Sequence, residues 1–287
     1  MKFLRNALTA TRHPTIGFDY IQWKIGTIIG RQSTVNGAFG TRLRTPTFAD
    51  MRATRGFVPR AAEAELIRSL SSNYPLFMVI GANFGVWVTA LAAAHPTAHV
   101  YCFEPTPNTF SGLSANIALN RLRNVTALQL AVSDSEGVFP FQLTENASNL
   151  NRLAPIKSSA VDLHRDRFIG ARTTEVRSVV LDDFCRDQGI DRIGFLKIDV
   201  EGADVCVLRG AGDLLRRQAI ELMFIEVDPD NLRESGDSLE DLASRIAEKG
   251  YAFHFLQTDG SLGPPVDIRL HSRSGHSFDI VARPIST

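Results

Sequence analysis

GFLKIDVEG, residues 194–202, runs from an apolar segment straight into charged side chains and a glycine. Three other stretches share that form: LFMVIGANFG (76–85), HVYCFEP (99–105) and ELMFIEVDP (221–229). A strand buried on both faces reads as a continuous apolar run, the mark of a parallel sheet. In open α/β sheets, ligands bind just beyond the carboxyl ends of such strands. Four strand ends carrying glycines or carboxylates therefore define one functional edge.

Working outward, the same rhythm covers most of the chain. Strands are expected at 76–80, 99–103, 125–132, 138–143, 176–181, 195–200, 220–227, 251–256 and 278–282. Helical segments fall between them at 86–94, 107–119, 182–188, 203–217 and 238–249. Strands alternating with helices of this length imply βαβ units and a mostly parallel α/β sheet. A helix is also expected at 61–70, with Pro59 before it. Residues 144–173 are polar and aperiodic and read as an insertion, a kind of segment that is usually functional when long. Residues 1–33 mix apolar and basic side chains, and 34–60 look irregular, so 1–60 is set apart as an N-terminal extension from the domain at 61–287.

The bulk numbers narrow the class. With 287 residues, 44% of them hydrophobic, the chain can bury a sizeable core. No apolar run approaches the ~20 residues needed to cross a bilayer, and no signal-peptide pattern is seen, so a cytoplasmic location is expected. The three cysteines form no CxxC pair; they read as packing groups in a reducing compartment, and a structural zinc site has no support. The net charge of zero is unevenly spread. Residues 1–60 hold ten Lys/Arg and two Asp, 10 − 2 = +8, and the remainder carries 21 − 29 = −8. The plain reading is a basic arm packed on its own acidic domain or on a neighbouring subunit of a homo-oligomer. The sharper reading is peripheral contact with an anionic surface such as a membrane face. No nucleic-acid role is expected, because no aromatic-interleaved basic stripe accompanies the charge.

The chemistry gathers at the strand ends. Gly81, Asn83 and Gly85 form a strand-to-helix loop suited to presenting backbone N–H groups to a ligand. Glu104 follows Gly85 by 19 residues, at the end of the next strand, where a carboxylate can accept hydrogen bonds from ribose hydroxyls. These two features fit a nicotinamide cofactor or another adenosine-bearing one. Lys197, Asp199 and Glu201 alternate on one strand and its end, and Glu226 and Asp228 do so on the following one. Clustered carboxylates can make one member a proton acceptor, or can hold a hard cation such as Mg2+ through Asp199, Glu226 and Asp228.

Taken in order, GANFG, FEPTPNTF, NIALN, LQLAVSD, LDDF, FLKIDVEGADVCVLRGA and IEV resemble the FkbM family of S-adenosylmethionine-dependent methyltransferases over residues 76–230. LKIDVEGA is the most specific part. The resemblance implies a class I methyltransferase fold: a mostly parallel seven-stranded sheet, helices on both faces, the last strand antiparallel. It also implies O-methyl transfer to a hydroxyl of a sugar, glycan, glycolipid or similar natural product. By that resemblance Gly81, Asn83 and Gly85 flank the methionine part of the cofactor, Glu104 holds the ribose, Ala131 to Asp134 border the adenine, and Asp199 lies beside the acceptor. Val79 stands where the family usually has Asp.

The expected base is Asp199, oriented by Lys197, with Glu201 beside them; His164 and His271 are loop alternatives. The acceptor is expected over 144–173, where Asn146, Ser148, Asn149 and Asn151 suit sugar hydroxyls. Two competing readings remain. An NAD-dependent Rossmann oxidoreductase would leave the later carboxylates without a purpose and expects a fuller G-x-G-x-x-G. A non-catalytic module on the same scaffold would fit the Val79 departure.

Overall fold

A computed structural model describes residues 34–44, 60–71, 74–143, 152–153, 172–271 and 276–285. Five parallel strands form the centre of the main sheet: β3 (Leu76–Ile80), β4 (His99–Phe103), β5 (Val125–Leu128), β10 (Phe195–Ile198) and β11 (Met223–Val227). Beyond β11 come β14 (Phe278–Pro284), β12 (Tyr251–Leu256) and β13 (Leu262–Val266), each antiparallel to its neighbour. The spatial order is β13-β12-β14-β11-β10-β3-β4-β5. This is the expected parallel sheet with its last strand, β14, antiparallel. The sheet has eight strands rather than seven, because β13 turns back from β12 as an edge strand. Its Pro264 and Pro265 left no strand signal in the sequence; they are tolerated because one side of an edge strand needs no ladder.

Period-2 alternation sends the strands' side chains to two cores. One layer holds Phe77, Val79, Val100, Cys102, Phe195, Phe224 and Val281 against α1 (Ala61–Ser69), α2 (Val86–Ala94) and α3 (Pro107–Leu119). The other holds Met78, Ile80, Phe103, Leu196, Ile198, Met223 and Ile225. Against it lie α5 (Asp204–Gly210), α6 (Gly212–Arg216) and α8 (Leu239–Ala247), with α4 (Leu181–Asp187) and α7 (Pro229–Glu234) alongside. Full burial of side chains of this size stabilises the fold by about 1.5–3 kcal/mol each.

Three expected elements divide. The strand expected over 125–132 ends at Leu128; Ala131–Ser133 (β6) leaves the main sheet to pair with β9 (Arg172–Val180). A second sheet results, ordered β6-β9-β7-β8, in which β7 (Gly137–Leu143) lies antiparallel to β9 and β8 is Arg152–Leu153. The 144–173 insertion therefore issues from the end of the β7–β9 pair; apart from β8 and the first residues of β9 it lies outside the described residues. The helix expected over 203–217 breaks at Ala211 between two glycines, weak helix formers. Gly210 lies so close to the Ser133 carbonyl that a Cβ would sit 2.2 Å from it. Asp182 restarts the helix by accepting from Asp213 N (2.7 Å) and Leu214 N (3.0 Å). Within the stretch read as irregular, β1 (Thr34–Asn36) and β2 (Arg42–Arg44) form an antiparallel hairpin. The remaining described part of the N-terminal extension is Arg60; residues 1–33 and 45–59 lie outside it.

Candidate active site

The loop after β3 is held from below. Gly81 N and Ala82 N both donate to the Phe103 carbonyl, at 3.0 and 2.9 Å, which ties the turn to the end of β4. Gly81 has φ +79°, and a Cβ on it would lie 1.8 Å from the Asp199 carbonyl oxygen. Its lack of a side chain is what lets the β10 end close against the loop. Gly85 has φ +88° and serves as N-cap of α2. Asn83 also takes a left-handed conformation, and its side-chain oxygen accepts from Phe84 N at 2.8 Å.

Glu104 is 7% exposed and locked by its own neighbours. Its Oε2 accepts from Asn83 N (3.1 Å) and its Oε1 from Thr106 N (3.1 Å) and Thr106 Oγ1 (2.7 Å). A carboxylate has about four acceptor positions, so one, on Oε2, is left for a ligand. Burial pushes the Glu104 carboxyl up, the Thr106 and Asn83 donors pull it back, and Asp199 pushes it up again. Thr106 is a partner the sequence reading missed; its only signal is the Glu-Pro-Thr spacing.

On β10, Lys197 is 3% exposed and donates to Asp199 Oδ2 at 2.7 Å. Its ammonium also lies 5.4 Å from the Trp87 ring centroid and 5.8 Å from that of Phe224. Such cation–π contacts contribute up to about 2 kcal/mol when desolvated. Trp87 comes from α2, and Phe224 sits opposite Lys197 on β11. Neither aromatic was singled out from the sequence, where each reads as core. Burial pulls the Lys197 pKa down, but Asp199, Glu226 and Asp279 outweigh it, so the amine stays charged. Val79 pairs in register with Lys197 and is buried, so the family's usual Asp position is here a core position.

Asp199 is the electrostatic centre, its side chain 31% exposed. It contributes to raising the carboxyls of Glu104, Glu201, Asp204, Glu226 and Asp279. Glu226 on β11 lies directly opposite Asp279 on β14. Burial, then Asp199, push Glu226 up to about 8 despite Lys197. Arg60, at the head of α1, donates to Asp279 Oδ2 at 2.5 Å and to Glu63 Oε1 at 2.8 Å. Asp279 and Arg60 were not foreseen, since their approach depends on the pairing of the last strand.

Glu201 stands in the turn after β10, beside this row. At φ +52° it accepts from Asn231 Nδ2 (2.7 Å) at the start of α7, and burial with the surrounding carboxylates holds its pKa well above the usual range. Asp204 is buried one turn further on, pushed up to about 7 by burial above all. Ala131 and Asp134 sit in the second sheet and its turn; Asp134 faces Arg209 of α5 at 3.6 Å. His271, at the end of the turn after β13, meets the Phe255 ring edge-on at 4.8 Å, and His164 lies outside the described residues.

The anticipated metal set does not assemble. Asp228 is the N-cap of α7, its Oδ1 accepting from Asp230 N (2.9 Å) and Asn231 N (3.2 Å). Among the described residues no group of three His, Cys, Asp or Glu side chains is placed to hold a metal ion.

The strand order, with antiparallel β14 inserted between β11 and β12, and the glycine loop, Glu104 and Asp199 on one edge define a class I methyltransferase fold. The methyltransferase FkbM domain model matches residues 80–253, and the chain belongs to that family of S-adenosylmethionine-dependent methyltransferases. Among its relatives, methyltransferase sdnD of Sordaria araneosa is 32% identical over 64% of this chain and 76% of its own. The 2-O-methyltransferase NoeI of Sinorhizobium fredii is 26% identical, and the match spans 53% of this chain and 64% of NoeI. Hexuronic acid methyltransferase AglP of Haloferax volcanii is 22% identical over 73% and 79%.

Proposed function

We propose that this protein transfers a methyl group from S-adenosylmethionine to a hydroxyl of a sugar, glycan, glycolipid or similar natural product. The observation that carries the reading is the shared crevice: Asn83 N bonds Glu104 Oε2 at 3.1 Å, while Gly81 abuts the Asp199 backbone. The free acceptor position on Glu104 suits one ribose hydroxyl, and the loop 81–85 flanks the methionine end. On this reading Ala131 to Asp134 border the adenine; Ala131 is buried at the start of β6, and Asp134 faces Arg209 at 3.6 Å.

When bound, S-adenosylmethionine supplies a sulfonium methyl, so that a carbon–oxygen bond forms as the sulfur–carbon bond breaks. Asp199 takes the hydroxyl proton. A placed base of this kind contributes typically ~10²–10⁴-fold. Lys197 holds the Asp199 carboxylate in one orientation, and Trp87 and Phe224 hold Lys197. Glu226 accepts a hydrogen bond from a neighbouring hydroxyl of the acceptor. Glu201 shapes the turn through Asn231 rather than moving a proton. Positioning matters most here, since the methyl donor is already activated and oriented reactants can supply ~7–11 kcal/mol of the barrier.

A sugar acceptor is supported by the names of two relatives, a 2-O-methyltransferase and a hexuronic acid methyltransferase. It is supported also by the carboxylates at the rim, which match hydroxyl donors. The test is Asp199→Asn. Incubated with labelled S-adenosylmethionine and cell-envelope glycans, the variant should lose about 10²-fold or more of its methyl transfer. Its affinity for S-adenosylhomocysteine should be unchanged. Lys197 stays close to Glu226, so the ammonium is not orphaned. Equal turnover would remove Asp199 from the mechanism.

A further inference from the structure

One buried side chain hydrogen-bonds both the N-terminal hairpin and the loop 81–85, beside the packing of Ala38 and Phe39 on the same core layer. Asn116, in α3, is 0% exposed. Its Oδ1 accepts from Arg44 N at 2.7 Å, and its Nδ2 donates both to the Arg44 carbonyl (3.0 Å) and to the Phe84 carbonyl (2.8 Å). One amide thus binds β2 of the hairpin and Phe84 of the Gly81–Gly85 loop together. All three of these partners are backbone groups, so the amide has a single orientation in which both Nδ2 hydrogens are used.

One turn later, Asn120 repeats the clamp on β2. It accepts from Arg42 N (2.7 Å) and donates to Arg42 O (2.7 Å). The two asparagines are four residues apart on a helix, about 6 Å, and Arg42 and Arg44 are two apart on a strand, about 6.6 Å. The side chains therefore meet the free edge of β2 as a neighbouring strand would. Asn120 does not touch the loop; Asn116 does. The loop is seated on α3 by its ring as well, because Gly112 leaves the room in which a Cβ would lie 2.7 Å from Phe84 Cδ1. Leu43, between the two clamped residues, is wholly buried and anchors the hairpin.

We propose that the N-terminal hairpin is part of the support of the cofactor loop, and that Asn116 is the positioning residue that couples the two. The consequence rests on the reading of 81–85 as the S-adenosylmethionine loop. The loop must hold its N–H groups at fixed points, and the hairpin holds the amide that fixes the Phe84 carbonyl of the loop.

Leu43→Ala removes the hairpin's anchor without altering any group of the loop, and Asn116→Ser removes the coupling amide. In calorimetric titrations of the full chain with S-adenosylhomocysteine, Leu43→Ala should raise Kd about threefold or more. Asn116→Ser should raise it at least as much, and the double variant should show no further rise, the sign of a shared route. In the ligand-free protein, hydrogen exchange at amides 81–85 should quicken in both variants while that of β11 stays unchanged. If Leu43→Ala lowers Tm yet leaves Kd and loop exchange as in the wild type, or if the two effects multiply, the coupling is wrong. Should Asn116→Ser fail to fold, Leu43→Ala decides by the same two readouts. A wild-type chain that binds no S-adenosylhomocysteine would instead sink the reading of the loop, and exchange alone then decides the coupling.

Discussion

At the scale of single residues, Glu104 is a buried carboxylate fixed by its own neighbours. Three protein donors hold it, and one acceptor position stays open. A hydrogen bond to a charged group is worth about 1.5–3 kcal/mol, so Glu104→Gln should weaken S-adenosylhomocysteine binding roughly 10–100-fold in calorimetry. Equal affinity would contradict the ribose role. Glu104 and Asp199 were legible because each ends an apolar run, and Lys197 because it is a charge inside one; polar chemistry at or within a buried strand has few structural uses. Trp87 was not legible, and for Thr106 and Asn116, which stand in FEPTPNTF and NIALN, the contacts were not. Their importance lies in what they touch, and an asparagine on a helix or a tryptophan in a core carries no mark of that in its spacing. Asp228 stood open in the sequence between a ligand and a turn acid, and the bonds its Oδ1 accepts from Asp230 N and Asn231 N make it a helix cap.

Among the elements, the β11–β14 pair carries the most unusual contact. Glu226 and Asp279 face each other across an antiparallel ladder, and like charges so placed are destabilising. Glu226 has a folded-state pKa of about 8, above the 4.5 of a free side chain. The folded state therefore keeps a proton that the unfolded chain releases, and stability falls as pH rises from about 4.5 through about 8. Glu226→Gln removes that penalty. Chemical denaturation should find the variant more stable than wild type at pH 8, by up to about 4 kcal/mol, with the gap closing toward pH 5. A gap independent of pH would show that Glu226 ionises freely. Element types were largely readable from periodicity. The breaks at Gln129 and Ala211 were not, because strand 125–128 could continue until β9 offers β6 another partner, and Gly210 interrupts its helix only where Ser133 comes close.

For the whole molecule, the sheet order separates the candidate chemistries. A dinucleotide sheet continues in parallel through its second half, whereas here β14 runs antiparallel between β11 and β12. S-adenosylhomocysteine at about 100 times its Kd should add ~2.7 kcal/mol to the stability and raise Tm, whereas NAD at the same concentration should leave Tm in place. A shift with NAD alone would reverse the assignment. By itself the sequence determined the α/β class, the functional edge and the charged residues along it. Apolar runs and the polar groups that end them are local patterns, set by the period of the backbone. Tertiary structure alone decided that Glu226 meets Asp279, that Arg60 reaches over to Asp279, and that one asparagine joins the N-terminal hairpin to the loop 81–85. Those contacts bring together residues far apart in the chain, and only the pairing of strands and the packing of helices on the sheet sets the distances between them.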